Sequence, residues 1–160
     1  MTTDDEEKFP PVDAGDPQVQ QQVLQELRWR YPKETEAVEA SALEAAVQEG
    51  LKLCPPLRIN DPKEIRRFLA LTVLLTPAQK KSALLTTVVY RVLMALSYWG
   101  ARKRMNFIYT FVVGRAPPEA EPDFGVWFIA DPKWYPNVTP DNLSRAIFRT
   151  LPPSAARAPS

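Results

Sequence analysis

The sequence predicts a single α+β domain, mostly a helical bundle with one antiparallel β-hairpin. Apolar residues recur at helical spacing, Asp-Pro or Thr-Pro pairs mark four helix starts, and two later stretches are rich in aromatic and β-branched residues. At 160 residues with 45% hydrophobic residues, the chain is long enough for one core. We expect the domain to cover residues 16–151, between a disordered acidic tail over residues 1–15 and a flexible tail over residues 152–160.

Two amphipathic helices are predicted first. One begins at Asp16-Pro17, because Asp is a favoured N-cap and Pro is tolerated in the first turn, and it ends before Pro32. Its apolar stripe recurs every four residues, at Val19, Val23, Leu27 and Tyr31. The alanine-rich residues 34–53 predict the second helix.

Two further helices supply the predicted centre of the bundle. Asp61-Pro62 and Thr76-Pro77 repeat the start signal. Residues 62–75 are polar first and apolar afterwards, so the second half of that helix must be buried. Residues 77–99 are apolar on most sides from Leu84 onward. We therefore predict that the helix over residues 77–99 is central and that the others pack around it.

The hairpin is predicted after Gly100, where the pattern changes. Residues 105–113 and 124–130 are rich in Phe, Ile, Tyr, Thr and Val, which favours strands. The Pro-rich residues between them predict a long loop, and Thr139-Pro140 starts a short C-terminal helix. Helices followed by a two-stranded hairpin are the order of a winged-helix domain.

The distribution of charge predicts the working surface. No acidic residue lies between Glu64 and Glu119, whereas nine basic residues do, and residues 1–16 hold six acidic residues and one Lys. A one-signed stretch attracts anions, so a polyanion is the expected partner, with nucleic acid favoured. The candidate anion-binding residues lie at the start of helix 77–99, at the base of the hairpin and in its loop: Lys80, Lys81, Arg102, Lys103, Arg104 and Arg115.

Other functions fit the same charges. A recognition helix is short and polar on one face, whereas residues 77–99 are long and apolar, which favours a protein-interaction or self-assembling module instead. A homo-oligomer or a matrix-like protein at an anionic membrane surface, with Trp134 and Tyr135 as anchors, would use the same face. The acidic N-terminus is either a solubilising tail or an internal competitor for the basic face.

Residue types argue against an enzyme, a cofactor or a metal. The chain has no His, and its one cysteine, Cys54, is expected to be a buried apolar residue. Asp123, Asp131 and Lys133 loosely match a metal-dependent nuclease pattern, but the two acids are too far apart and Pro interrupts them. We therefore predict a non-enzymatic binding protein.

Localisation is predicted to be cytoplasmic. No basic-then-apolar leader is visible, and a single cysteine fits a reducing compartment. Residues 82–99 are apolar, but Arg91 near their middle would cost about 3 kcal/mol in a bilayer. We therefore expect a buried helix there rather than a transmembrane segment.

Overall fold

The computed structural model of the protein describes residues 14–96, 98–114 and 138–153. Of these residues 72% are helical, and none of them belongs to a strand. The helices are, in chain order, Pro17–Arg30 (α1), Pro32–Glu36 (α2), Ala40–Leu53 (α3), Pro62–Leu74 (α4), Pro77–Lys81 (α5), Ala83–Leu93 (α6), Ala101–Ile108 (α7), the π-helical turn Tyr109–Val113 (π1), Pro140–Leu143 (α8) and the π-helical turn Ser144–Phe148 (π2).

Local capping explains where the helices begin, and the four predicted starts are confirmed. The Asp16 carboxylate accepts a hydrogen bond from Gln18 N, and the Asp61 carboxylate accepts one from Lys63 N, each at 2.9 Å. Thr76 forms a reciprocal capping box with the residue three positions later. At the fourth start the hydroxyl of Thr139 accepts a hydrogen bond from a backbone N–H.

The second predicted helix is divided. Residues 34–53 belong to α2 and α3, which are separated at residues 37–39. Glu39 caps α3, since its carboxylate accepts hydrogen bonds from the amides of Ser41 and Ala42. Glu39 N also donates to Pro152 O at 2.8 Å, and Val38 forms an isolated bridge with Pro153. The break between α2 and α3 is therefore held by the C-terminal segment.

The prediction that residues 77–99 form the central helix is wrong. Ser82 interrupts them with an extended backbone, and its hydroxyl accepts a hydrogen bond from Leu85 N at 3.2 Å. The central element is α4, in which nine of 13 residues are buried. It packs against α1, α2, α3, α7 and π2. Leu84 at the start of α6, by contrast, is 72% exposed, whereas Val89, Val92 and Leu93 of the same helix are buried.

The predicted β-hairpin, and with it the α+β and winged-helix assignments, is contradicted. Residues 105–113 continue α7 into π1 and end at Gly114, whose φ of 78° favours glycine. Met105, Ile108, Tyr109 and Val112 are buried at helical spacing, and Asn106 and Phe107 are buried as well. Strand propensity is weak enough for this packing to override it. Residues 124–130 lie outside the described residues, as do residues 1–13 and 154–160.

The last predicted helix is present as α8 and π2. Leu143 and Ile147 are buried, and Leu151 is half-buried against the core. The pair packs on α3 and α4. A Cβ at Gly50 of α3 would overlap the Leu69 side chain of α4, so the small residue permits the close approach of these two helices.

Candidate binding face

Residues 77–113 contain no Asp or Glu. We call their exposed surface, which is formed by α5, α6, α7, π1 and the segments that connect them, the acid-free face. Its exposed cations are Lys81, Arg91, Arg102 and Lys103. Its exposed large apolar side chains are Leu84, Tyr98 and Phe111. Helix α6 packs against both α5 and α7, so the three helices adjoin one another.

Lys80 is tied to the fold rather than presented to solvent. Its Nζ donates hydrogen bonds to Thr72 O and to Arg149 O, both at 2.6 Å. These carbonyls belong to α4 and to the residue after π2. Lys80 therefore cross-links two segments, and its ammonium is already engaged.

The pKa of Lys80 leads to a prediction about alkaline stability. Burial lowers this pKa from 10.5 to about 8, and a neutral amine still donates two hydrogens to the two carbonyls. Between these two pH values the unfolded chain binds more protons at this site than the folded one. The contribution of Lys80 to the free energy of unfolding should therefore rise with pH from about 8 to 10.5.

Urea unfolding across that pH window tests the prediction. The difference in unfolding free energy between the natural protein and Lys80→Met should widen as the pH rises. Lys81→Met is the matched control, since Lys81 is the exposed neighbour, and its difference should stay constant. A difference that narrows toward high pH would mean that the charged ammonium is the form that stabilises the fold.

Arg104 is buried and serves the backbone. Its Nη1 donates to Leu93 O at 2.9 Å, and its Nε donates to Trp99 O at 3.1 Å and to Gly100 O at 3.3 Å. These carbonyls lie at the end of α6 and in the turn before α7. Arg104 thus fixes the connection between two helices of the acid-free face and is not available to an external anion.

Lys81, Arg102 and Lys103 are exposed but are not gathered at one point. Gln79 Nε2 donates to Val112 O at 2.7 Å, so α5 lies beside the C-terminal end of α7–π1. Arg102 and Lys103 lie at the other end of α7–π1, about 14 Å away along the axis. This pair therefore does not converge with Lys80 of α5. Arg115 lies outside the described residues.

A buried polar network lies behind the acid-free face, and the sequence reading missed it. Arg67 Nη1 donates to Glu64 Oε1 at 2.8 Å, and Arg67 Nη2 donates to Asn106 Oδ1 at 2.7 Å. Tyr109 OH donates to Arg67 O at 2.6 Å. The network joins α4 to α7 and π1. Two features of the sequence could have indicated this network: the three-residue spacing of Glu64 and Arg67, and an Asn within an apolar run.

Tyr109 keeps its proton in this network. Burial raises the pKa of its hydroxyl well above the ordinary value, and Tyr31 contributes to the increase. The hydroxyl therefore remains a donor to Arg67 O at neutral pH. The Arg67 guanidinium carbon lies 4.9 Å from the centroid of the Tyr109 ring, which adds a cation–π contact.

Cys54 is the one thiol of the sequence, and it is enclosed in the core. Cys54 is buried, its Sγ donates to Gly50 O at 3.5 Å, and burial raises the pKa of its thiol well above the ordinary range. It is therefore a protonated, enclosed thiol rather than a nucleophile. Within residues 14–96, 98–114 and 138–153, no group of three acidic or cysteine side chains is placed to hold a metal. Asp123, Asp131 and Lys133 lie outside these ranges.

Helix α1 carries an exposed aromatic side chain. Trp29 on α1 is 77% exposed, and the Arg30 guanidinium lies 5.5 Å from its ring centroid. In the part of the chain that the structure describes, no helix combines the length and hydrophobicity required to cross a bilayer.

No protein-family model matches this sequence, and comparisons with curated proteins and with solved structures likewise give no match. The function is therefore inferred from the residues of the chain itself.

Proposed function

We propose that this protein is a non-enzymatic binding module that recognises an acidic protein partner through the acid-free face. The observation that carries the proposal is the presence of exposed cations and exposed large apolar side chains within residues 77–113, a stretch that contains no Asp or Glu. Protein interfaces combine an apolar centre with a polar rim and are enriched in aromatic residues and Arg. Leu84 and Phe111 supply apolar area, and Arg91 and Arg102 supply positive charge.

The chemistry of the chain supports a binding role over catalysis. Histidine is absent from the sequence, and Cys54 is a buried, protonated thiol. Glu64, a buried carboxylate, is held by Arg67 inside the core. We also place the protein in the cytoplasm, because a single buried cysteine suits a reducing compartment.

Nucleic acid is the second candidate partner. Arg102 and Lys103 are adjacent exposed cations, and Tyr98 and Phe111 are exposed aromatic side chains on which bases could stack. Lys80 and Arg104 are engaged by carbonyls, so phosphate contacts would depend on the four exposed cations of the face. An anionic membrane is a third, weaker possibility, because the same cations would attract its headgroups.

A variant in which Lys81, Arg91, Arg102 and Lys103 are all replaced by Gln tests the proposal. The four residues are exposed, so the free energy of unfolding should change little. We expect the natural protein to bind a blocked, acidic, amphipathic helical peptide, and the variant to lose that binding. A matched variant with Arg28 and Lys33 replaced by Gln, on α1 and α2, should bind as the natural protein does.

The same titration with other probes separates the candidates. If a DNA duplex or a single-stranded RNA binds more tightly than the peptide, nucleic acid replaces the acidic protein as the proposed partner. The slope of log affinity against log salt should then fall by about 0.9 per lost duplex phosphate contact. Binding only to phosphatidylserine vesicles would point to a membrane. If the four-Gln variant binds every probe as the natural protein does, the acid-free face is not the binding surface.

A further inference from the structure

Helix α1 turns a stripe of glutamine side chains toward solvent. Gln18, Gln22 and Gln25 are exposed, and so is Trp29. Positions separated by three, four or seven residues share one face of a helix, so these four side chains follow one another along the axis, about one in each turn. The opposite side of α1 packs against α3 and α4. The stripe is therefore not used in packing the domain.

An open groove of about 400 Å³ lies along the first turns of α1. It is lined by Pro17, Gln18, Gln21, Gln22 and Gln25. Residues 17–25 carry no charge. A glutamine amide both donates and accepts hydrogen bonds, so the groove offers neutral polar partners of both kinds. A ligand that matches it must carry hydrogen-bond donors and acceptors side by side on an uncharged group.

An indole and two cations lie at the C-terminal end of the stripe. Trp29 is 77% exposed, and the Arg30 guanidinium carbon lies 5.5 Å from its ring centroid. Arg28 and Arg30 are both exposed. The one acidic residue of α1, Glu26, lies 3.7 Å from Arg66, which offsets its charge. This end of α1 therefore presents an aromatic ring to a flat group and positive charge to an anion.

Other occupants use only part of this surface. Homodimer interfaces are more apolar than the rest of a protein surface, whereas Trp29 is the one large apolar side chain among the exposed residues of α1. A neutral carbohydrate would use the amides and the indole but not the two arginines. A duplex keeps its bases stacked on one another, so they could not stack on the indole. Unpaired bases that are joined by phosphates use all three features.

We propose that α1 binds single-stranded, adenine-rich nucleic acid along the stripe of glutamines that ends at Trp29. One base stacks on the Trp29 ring, and its neighbours form hydrogen bonds with the glutamine amides. Glutamine pairs with N6 and N7 of adenine through two hydrogen bonds, and unpaired bases expose these atoms. Arg28 and Arg30 contact phosphates. The site belongs to a helix outside residues 77–113, so the inference does not rest on the proposed function.

Fluorescence anisotropy of labelled single-stranded oligo(A) and oligo(U) tests this inference on the full chain. Oligo(A) should bind about tenfold more tightly or better, because one amide–adenine pair discriminates between bases by about this factor. Trp29→Ser should weaken the binding of oligo(A) about tenfold or more, which is the effect of losing one stacked base. Trp29→Phe keeps an aromatic ring and should retain most of the affinity.

Variants of the polar residues separate base recognition from stacking. Gln22→Ala with Gln25→Ala should lower the affinity for oligo(A) to that for oligo(U). Gln48→Ala is the matched control, since Gln48 is an exposed glutamine of α3, and it should bind as the natural protein does. Arg28→Gln should lower the slope of log affinity against log salt by about 0.7, the value for one phosphate contact on a single strand. All of these positions are exposed, so circular dichroism should show the natural helix content.

The four-Gln variant of the acid-free face keeps the two proposals apart. It should bind oligo(A) as the natural protein does, and a single strand counts as a ligand of the acid-free face only if this variant loses it. Such a loss would overturn the α1 site. The inference also falls if no single strand binds, if oligo(A) and oligo(U) bind equally, or if a DNA duplex or maltohexaose binds more tightly than oligo(A). Failure of the acidic peptide to bind would overturn the proposed function and leave the α1 site unaffected.

Discussion

Replacing Arg67 with Met should lower the free energy of unfolding by about 3–5 kcal/mol, the cost of breaking a buried ion pair by removing one member. The side chain is enclosed, and it bridges the carboxylate of Glu64 to the amide oxygen of Asn106. The substitution keeps much of the volume but leaves the carboxylate in the core without that cation. Urea unfolding, followed by circular dichroism, measures the loss.

Two further variants show whether the loss of stability comes from the buried ion pair. Arg66→Met is the matched control: its guanidinium lies 3.7 Å from Glu26, whose side chain is 49% exposed, and such pairs contribute about 0–1 kcal/mol. The double variant Glu64→Leu with Arg67→Met should recover part of the stability, because the buried charge is removed as well. A single Arg67→Met protein as stable as Arg66→Met would mean that the network contributes little.

Replacing Arg104 with Met should cost about 3 kcal/mol, since hydrogen bonds from a charged donor contribute roughly 1.5–3 kcal/mol each. The variant would leave the carbonyls of Leu93 and Trp99 without these bonds in a buried turn. The effect belongs to the fold and not to a ligand, although Arg104 lies in a run of three basic residues.

The neighbours of Arg104 supply its control. Arg102→Met and Lys103→Met change exposed side chains and should alter the free energy of unfolding by no more than about 0.5 kcal/mol. Hydrogen exchange of the amides at the start of α7 should accelerate in Arg104→Met alone. Equal destabilisation by all three substitutions would contradict the assignment of Arg104 to the interior.

The helix starts could be predicted from the sequence because their causes are local. Asp16, Asp61, Thr76 and Thr139 cap backbone amides two or three residues away, and such contacts are written into short motifs. The breaks within two of the predicted helices were harder to predict from the sequence. Ser82 caps a new helix directly after Lys80 and Lys81, within a stretch whose later residues are apolar. The break at residues 37–39 is held by the distant Pro152.

The helical state of residues 105–113 could not be read from the same patterns. Aromatic and β-branched residues favour strands only weakly, whereas the packing of α7 and π1 and the hydrogen bonds from Arg67 to Asn106 and from Tyr109 to Arg67 decide the outcome. These contacts join positions about forty residues apart in the sequence. No local window contains them.

The candidate site was predicted in part. The lack of acidic residues after Glu64 located the surface, and Lys81, Arg102 and Lys103 are exposed there. Formal charge does not reveal whether a cation faces solvent or a carbonyl. Lys80 and Arg104 were therefore predicted to bind anions, whereas both side chains donate hydrogen bonds to backbone carbonyls.

The packing of α8 and π2 on α3 and α4 delays the completion of folding during synthesis at the ribosome. The central helix α4 ends at Leu74, but the side of α4 that receives Ile147 cannot be covered until the chain has been extended by about seventy residues. At about 5–20 residues per second, this interval lasts several seconds. During this interval, an apolar side of α3 and α4 is accessible to chaperones and to other nascent chains. Synthesis of α8 and π2 therefore determines when this side is covered.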